Sequence, residues 1–238
     1  CFDLKNNKGL LYHKYGPHYM RFKKKKIFNY LSNFTKWIDG NYIVKSYIGG
    51  ELYPIPINLI TLEKFFNKKL KTKKEAVDFI NKKKNKIKKP KNSEEFILSK
   101  LGREIYESFY KNYTLKQWGI HPRKLSKEIC GRLPIRFNRN CYYVEEKMRF
   151  MPKNGYTKMF SNMIKNRHIK VMLNTDFKKI RSKIIPKIAT IYTGTPDSYF
   201  NNIYGKLDWR SLNFVFKTFK KNKFQECVQI NYPNEKKY

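Results

Sequence analysis

Tyr113-Thr114-Leu115-Lys116-Gln117-Trp118-Gly119 is the stretch on which the fold turns. It ends a helical signal in which Ile97, Leu101, Ile105 and Phe109 recur at every fourth position, the apolar stripe of a helix that packs on one side. Ser93 is placed to cap that helix, and Gly119 and Pro122 punctuate its exit. Upstream, Thr72-Lys73-Lys74-Glu75 has the spacing of a capping box and opens a helix with Ala76, Phe79 and Ile80 on one face. Thr61 can cap a shorter helix carrying Leu62, Phe65 and Phe66. The spacing predicts a helical subdomain over 59–122.

Around it the chain reads as β structure. Residues 42–47 are β-branched and aromatic, Gly49-Gly50 is a hairpin turn signal, and 51–53 begin the return strand. Pro54 and Pro56 are expected to end that ladder, because proline has no N–H to donate. Further strands are expected at 133–137, 142–144, 171–173, 188–192, 212–216 and 228–231, with a helix at 157–164. The fold class is mixed α/β (α+β). The helical subdomain is inserted into an antiparallel sheet subdomain of 40–58, 123–150 and 206–238, and 1–39 with 151–205 form a further domain.

The chain carries 53 Lys and Arg against 18 Asp and Glu, a net charge of +35 over 238 residues. Two readings compete. A surplus this large suits a polyanion partner such as nucleic acid. It also follows from compositional drift, since Lys, Asn, Ile, Phe and Tyr are abundant together. Lysines crowd into the runs 23–26, 68–74 and 82–89, whereas base-reading proteins depend on arginine forks. No sequence-specific nucleic-acid partner is expected. The four cysteines are widely spaced without a C-x-x-C pair, which argues against a zinc site and for reduced thiols. No run of about 18 apolar residues is present, so no membrane span is expected. The chain begins at Cys1 and ends in a charged run, and it reads as an internal piece of a longer protein.

No segment offers a Ser/His/Asp order, a paired-carboxylate motif or a metal-ligand spacing. What the chain offers is aromatics next to arginine. Fourteen residues after Trp118 comes Arg132-Leu133-Pro134-Ile135-Arg136. Aromatic faces stack on a base and a sugar, and an arginine fork grips phosphate oxygens with charge-assisted bonds. The bland alternatives are a core stripe for the aromatics and a surface charge for Arg132. Tyr113 and Trp118 lie beyond the stripe, near a helix end, where a cleft can form.

Three more segments complete a pattern: His13-Lys14-Tyr15-Gly16-Pro17-His18, Tyr192-Thr193-Gly194 and Trp209-Arg210-Ser211-Leu212. In order and spacing over nearly the whole chain, these segments resemble UDP-galactopyranose mutase. The resemblance implies an isomerase that interconverts UDP-galactopyranose and UDP-galactofuranose through an adduct between N5 of reduced FAD and the sugar. It implies a cytoplasmic homodimer with UDP-galactose as its partner molecule. It assigns 1–39 and 151–205 to a discontinuous, Rossmann-like FAD-binding domain, incomplete here because no G-x-G-x-x-G occurs.

By the same resemblance, Arg132 is the loop arginine that closes on the diphosphate. Asn58, Phe109, Tyr110, Tyr113, Thr114, Trp118 and Tyr143 line the substrate cleft. Tyr15, Gly16, Pro17 and His18 form a loop passing the flavin, with His18 also in a catalytic position, and Thr193 and Gly194 form a turn near the FAD. Arg210 matches a further arginine of the pattern. The chain departs from the family at Arg21 and Phe22, where the family has His-Thr, and at Met148-Arg149-Phe150, where it has Tyr-Gln-Gly.

Overall fold

The computed structural model describes residues 2–234. Among the described residues eight short strands are formed: β1 (Asp3–Lys5), β2 (Leu11–His13), β3 (Met20–Phe22), β4 (Trp37–Asp39), β5 (Val44–Ile48), β6 (Glu51–Ile55), β7 (Met148–Pro152) and β8 (Gln229–Asn231). The helices are α1 (Lys25–Ser32), α2 (Leu59–Phe65), α3 (Lys73–Lys83), α4 (Ser93–Leu101), α5 (Arg103–Ile105), α6 (Asn112–Trp118), α7 (Lys127–Gly131), α8 (Tyr156–Met163), α9 (Phe177–Ile180) and α10 (Pro196–Tyr199). The chain is mixed α/β, and it divides into two compact units. One comprises 1–18, 30–36 and 152–216, and the other 19–29, 37–151 and 217–238.

In the first unit, β1 and β2 pair antiparallel with Asp3 opposite His13. The buried Asp3 carboxylate accepts from the backbone N–H groups of Tyr156 and Thr157 and from the Thr157 hydroxyl at 2.9 Å. These are first-turn donors of α8 with no partner inside the helix, so a negative charge is stabilising there. Gly155 precedes that turn with φ +85°, and a Cβ there would run into the Asp3 carboxylate. The expected helix at 157–164 is thus α8, begun one residue earlier.

Strands are absent at 171–173, 188–192 and 212–216. A strand needs a neighbour for its N–H and C=O groups, and no described residue pairs with these segments. Leu173, Ile185, Ile188 and Ile191 are exposed instead.

In the second unit, β3, β7 and β4 make one sheet and β6, β5 and β8 another. The β5–β6 hairpin turns at Gly49-Gly50, with Val44 opposite Ile55. The ladder continues through Pro54 to Ile55, past the expected stop. Proline is tolerated because β6 is an edge strand, where a missing donor breaks no interior ladder. β8 runs parallel to β5, so this sheet is mixed where an antiparallel one was expected. Residues 133–137 form no strand, and 142–144 contribute only a bridge between Ile43 and Tyr142. Their backbone donors go elsewhere: the Arg136 N–H donates to the Ile57 carbonyl and the Tyr143 N–H to Tyr42, each at 2.9 Å.

The helical subdomain packs on the hairpin. Its core joins Val44, Ile55 and Ile57 to Leu62, Leu70, Ala76, Ile80, Ile97, Leu101, Ile105 and Phe109. Thr72 caps α3 by accepting from the Glu75 N–H at 3.1 Å. The caps of α2 and α4 lie upstream of the expected residues. Asn58 caps α2 and frees the Thr61 hydroxyl to donate to the Pro54 carbonyl at 2.7 Å. Asn92 caps α4 and leaves the Ser93 hydroxyl to the Ser126 carbonyl at 2.6 Å. In both cases asparagine accepts one residue before the helix while the hydroxyl serves tertiary structure.

Asn58 is fully buried and uses its whole amide: Oδ1 accepts from Thr61, and Nδ2 donates to the Asn140 carbonyl at 3.0 Å. Asn58→Ala removes a cap and strands a buried carbonyl, and should cost about 2 kcal/mol or more, read from urea unfolding. Asn58→Asp keeps the acceptor alone and should fall between; a neutral Asn58→Ala would remove this structural role.

Glu94 is buried, and its carboxylate accepts from Arg123 Nε at 2.7 Å. That bond holds its pKa below the usual carboxylate range. A depressed folded pKa gives stability that is present above the unfolded value, about 4.3, and lost as pH falls through the folded one. The melting difference between the wild type and Arg123→Ala should therefore be full at neutral pH and close as the medium is acidified below about pH 4. A difference that persists in acid would show that the pair is not its source.

Candidate functional site

After α4 the chain breaks at Gly102, with φ +85°, where a Cβ would strike the Lys83 carbonyl. It re-enters as α5, widens into a π turn over Tyr106–Lys111, and returns to α geometry in α6. The widening solves a register problem. Residues four apart overshoot the α-helical period of 3.6 residues, so a stripe at 97, 101, 105 and 109 would wind off the core. The break and the wide turn keep Ile97, Leu101, Ile105 and Phe109 all buried.

From the π turn onward, Tyr110, Tyr113, Thr114 and Gln117 share one face of the helix. With Phe109 and Trp118 they form one wall of a cleft. Ile129, Cys130, Arg132 and Leu133, from α7 and the turn after it, form another. Tyr143, Ser46, Ile55, Gln229 and Asn231 close it from the sheet side. All belong to the second unit.

The walls are held by polar contacts. Buried Thr114 sets its hydroxyl 3.5 Å from the Cys130 sulfur, and the Cys130 N–H donates to Ser93 Oγ at 3.3 Å. Tyr42 stacks on Tyr19 at 4.2 Å and meets Tyr143 edge-on at 5.6 Å, while its hydroxyl donates to Gln229 Oε1 at 2.6 Å. Burial raises the pKa of Tyr110 and of Tyr113, and the Arg132 guanidinium, within hydrogen-bonding reach of the Tyr113 hydroxyl, partly offsets this for Tyr113. Both phenols stay protonated at neutral pH as donors. Arg132 itself is exposed, the posture of a charge that can close on a ligand.

A second cleft adjoins the first and shares Arg132, Leu133 and Tyr143 with it. Arg21, Arg136, Glu145 and Glu146 line it. Arg136 is buried and donates to the Tyr142 carbonyl, to the Asn140 carbonyl at 3.4 Å and to Glu145 at 3.3 Å. It thereby fixes the loop that carries Tyr143.

Of the expected site residues, the structure gathers Phe109, Tyr110, Tyr113, Thr114, Trp118, Arg132 and Tyr143 in the first cleft. Asn58 is not in its lining and serves as the cap described above. Tyr15, Gly16, Pro17, His18, Thr193 and Gly194 belong to the first unit. There Gly16 turns with φ +87° against the Phe214 ring, the His18 N–H donates to His13 Nδ1 at 2.9 Å, and His18 Nδ1 donates to the Gly16 carbonyl at 2.7 Å. Arg210 is exposed and donates to the Trp209 carbonyl.

The sequence reading missed Gln117, Cys130, Gln229 and Asn231. Gln117 was within reach, seven residues after Tyr110 on one helix face. Gln229 and Asn231 alternate on β8, but their approach to the cleft depends on a pairing with β5 that no local signal announces.

These residues do not by themselves fit a dinucleotide such as FAD. A pyrophosphate cradle needs backbone N–H groups at a glycine-rich helix start. α8, the one long helix of the first unit, already has its first N–H groups taken by Asp3. At the Thr193-Gly194 turn, the Tyr192 ring occupies the space a Cβ on Gly194 would need. Among the described residues, no group of three His, Cys, Asp or Glu side chains could hold a metal ion, and no helix is long and apolar enough to cross a membrane.

Comparison with known proteins fits this geometry. Residues 108–238, which carry most of the first cleft, match the family described as UDP-galactopyranose mutase. The chain is 32% identical over 223 residues to a probable UDP-galactopyranose mutase of Klebsiella pneumoniae, covering 94% of this chain and 57% of that protein. It is 26% identical over 243 residues to the dTDP-fucopyranose mutase of Escherichia coli, covering 99% and 64%. It is 26% identical over 249 residues to the UDP-galactopyranose mutase of Mycoplasma genitalium, covering 98% and 61%. The chain spans about three-fifths of the length of the curated relatives it matches. With more than half of its residues matched by the family, on the segments that build the cleft, the chain belongs to the UDP-galactopyranose mutase family.

Proposed function

We propose that this chain is the substrate-holding central part of a mutase that interconverts UDP-galactopyranose and UDP-galactofuranose. The observation that carries the reading is the convergence of Tyr110, Tyr113, Trp118, Tyr143 and Arg132 on one cleft of a single unit. Tyr113 and Trp118 offer faces on which uracil stacks. Arg132 supplies fixed positive charge to a diphosphate leaving group. The protonated Tyr113 hydroxyl adds a neutral donor beside it. Tyr110 and Phe109 back the cleft with apolar surface and exclude water, which strengthens these charge contacts.

Reduced FAD, if held by the whole protein, would supply the nucleophile for the sugar carbon. The flavin-side residues of this chain in the reading are the Tyr15–His18 loop, with His18 beside the reacting centre, and Thr193-Gly194. No G-x-G-x-x-G occurs in this chain to cradle its pyrophosphate. The reading also takes the enzyme to be a homodimer of the cytoplasm, on the family resemblance alone. One relative is named for dTDP-fucopyranose, so the sugar and base preferences of this chain are part of the proposal.

Calorimetric titration of the chain with UDP tests the cleft. Binding should be measurable, and Arg132→Ala should weaken it by on the order of tenfold or more, the worth of a charge-assisted bond. Melting should barely move, since Arg132 is exposed. Affinity unchanged by the substitution would make Arg132 one more surface charge.

A second measurement tests the cofactor assignment. Refolded with excess FAD and desalted, the chain should emerge colourless. A yellow product retaining stoichiometric FAD would place the dinucleotide site within these residues and overturn that part of the reading.

A further inference from the structure

The second cleft holds more guanidinium than its carboxylates answer. Arg21, Arg132 and Arg136 line it, against Glu145 and Glu146. Arg136 is 4% exposed. Its Nε and Nη1 are engaged, but Nη2 is buried without a hydrogen-bond partner. A buried charged donor left unmade is costly, and native proteins seldom keep one without a reason. A second orphan lies close in the fold. Arg149 rests its guanidinium on the Tyr142 ring at 3.8 Å and gives Nη1 to the Glu146 carbonyl, yet its Nε is buried and unpartnered.

Arg149 also stands directly opposite Arg21 in the β3–β7 register. Like charges so placed destabilise a strand pair. The Glu146 carboxylate approaches Arg21 only to 3.9 Å, beyond hydrogen-bonding distance. Glu145 answers Arg136 from a side chain that is 69% exposed.

We propose that the second cleft is an oxyanion subsite, and that it takes a carboxylate carried on the sugar of the nucleotide sugar. This rests on the reading of the first cleft given above. The two clefts meet at Arg132, Leu133 and Tyr143. A ligand with its base on Tyr113 and Trp118 and its diphosphate at Arg132 leads its sugar onward, toward Arg21 and Arg136. A neutral sugar brings only hydroxyls to that end. A carboxylate brings two acceptor oxygens, which suit forked guanidinium donors, and it adds negative charge beside Arg21, which Glu146 meets only at 3.9 Å. Arg21 is exposed and acts as the specificity-determining residue.

The test compares UDP, UDP-galactose and UDP-galacturonate, the two sugars differing only in the acid at the sixth carbon, by calorimetric titration of the chain. UDP-galacturonate should bind on the order of tenfold more tightly than UDP-galactose, the worth of one charge-assisted bond. In Arg21→Ala that ratio should fall toward one. Arg136→Met should lower it too, and because Arg136 also holds its loop, Arg21→Ala decides the matter if Arg136→Met melts. Equal affinities for the two sugars overturn the subsite, and so does a preference that survives Arg21→Ala. Inorganic phosphate that displaces UDP-galacturonate at similar concentration would assign the arginines to a free anion instead and overturn the sugar acid. If UDP itself fails to bind, the reading of the first cleft falls, and the subsite falls with it.

Discussion

The site depends on one reconciliation, between a side-chain stripe spaced by four residues and a helix that turns every 3.6. The break at Gly102 and the π turn at Tyr106–Lys111 absorb the difference. Without them, Phe109 and the core residues before it could not all face the hairpin, and α6 would present another face. With them, one helical run faces the core as far as Phe109 and the cleft from Phe109 onward. Phe109 is the residue where packing and recognition meet: it touches Tyr53 and Phe65 edge-on at 5.5 and 5.2 Å and also lines the cleft.

Electrostatics then divides the molecule. Most of the positive charge sits on lysines. Exposed pairs such as Lys83 with Glu104 and Lys111 with Glu107 contribute little to stability, as surface pairs do. The arginines are employed differently. Arg136 and Arg149 are packed into the loop that carries Tyr143, and Arg123 fastens α4 through Glu94. A planar fork with several donors can hold two or three backbone and carboxylate oxygens at once, which an ammonium cannot do as rigidly. The few arginines therefore set geometry, while the many lysines set solubility.

The helices of 59–122 were legible in the sequence because their signals are local. The capping box at Thr72 and the stripe from Ile97 to Phe109 each lie within a few turns, and each appears in the structure. The misplaced caps at Thr61 and Ser93 missed by one to three residues for one reason. A hydroxyl and an upstream asparagine compete for the same helix start, and tertiary acceptors for the hydroxyl decided the outcome. The strands were less legible. Residues 188–192 and 212–216 have β-type composition, yet a strand is a pairing, and composition does not provide a neighbour. The cleft aromatics were found through resemblance in motif order. The orphaned nitrogens of Arg136 and Arg149 could not have been, because an unmet hydrogen bond exists only once the chain has folded.

The bond from Asp3 to the start of α8 joins residues 153 apart in the chain. Its consequence is kinetic. Closing so long a loop is entropically demanding, and domains dominated by such contacts fold slowly. The α3–α4 region closes its contacts within a few turns and has no such delay. The first unit must therefore wait until most of the chain has been synthesised before its first strand can meet its helix. During that interval Asp3 and β1 stand open to water, and the helices of 59–122 are the part able to form early.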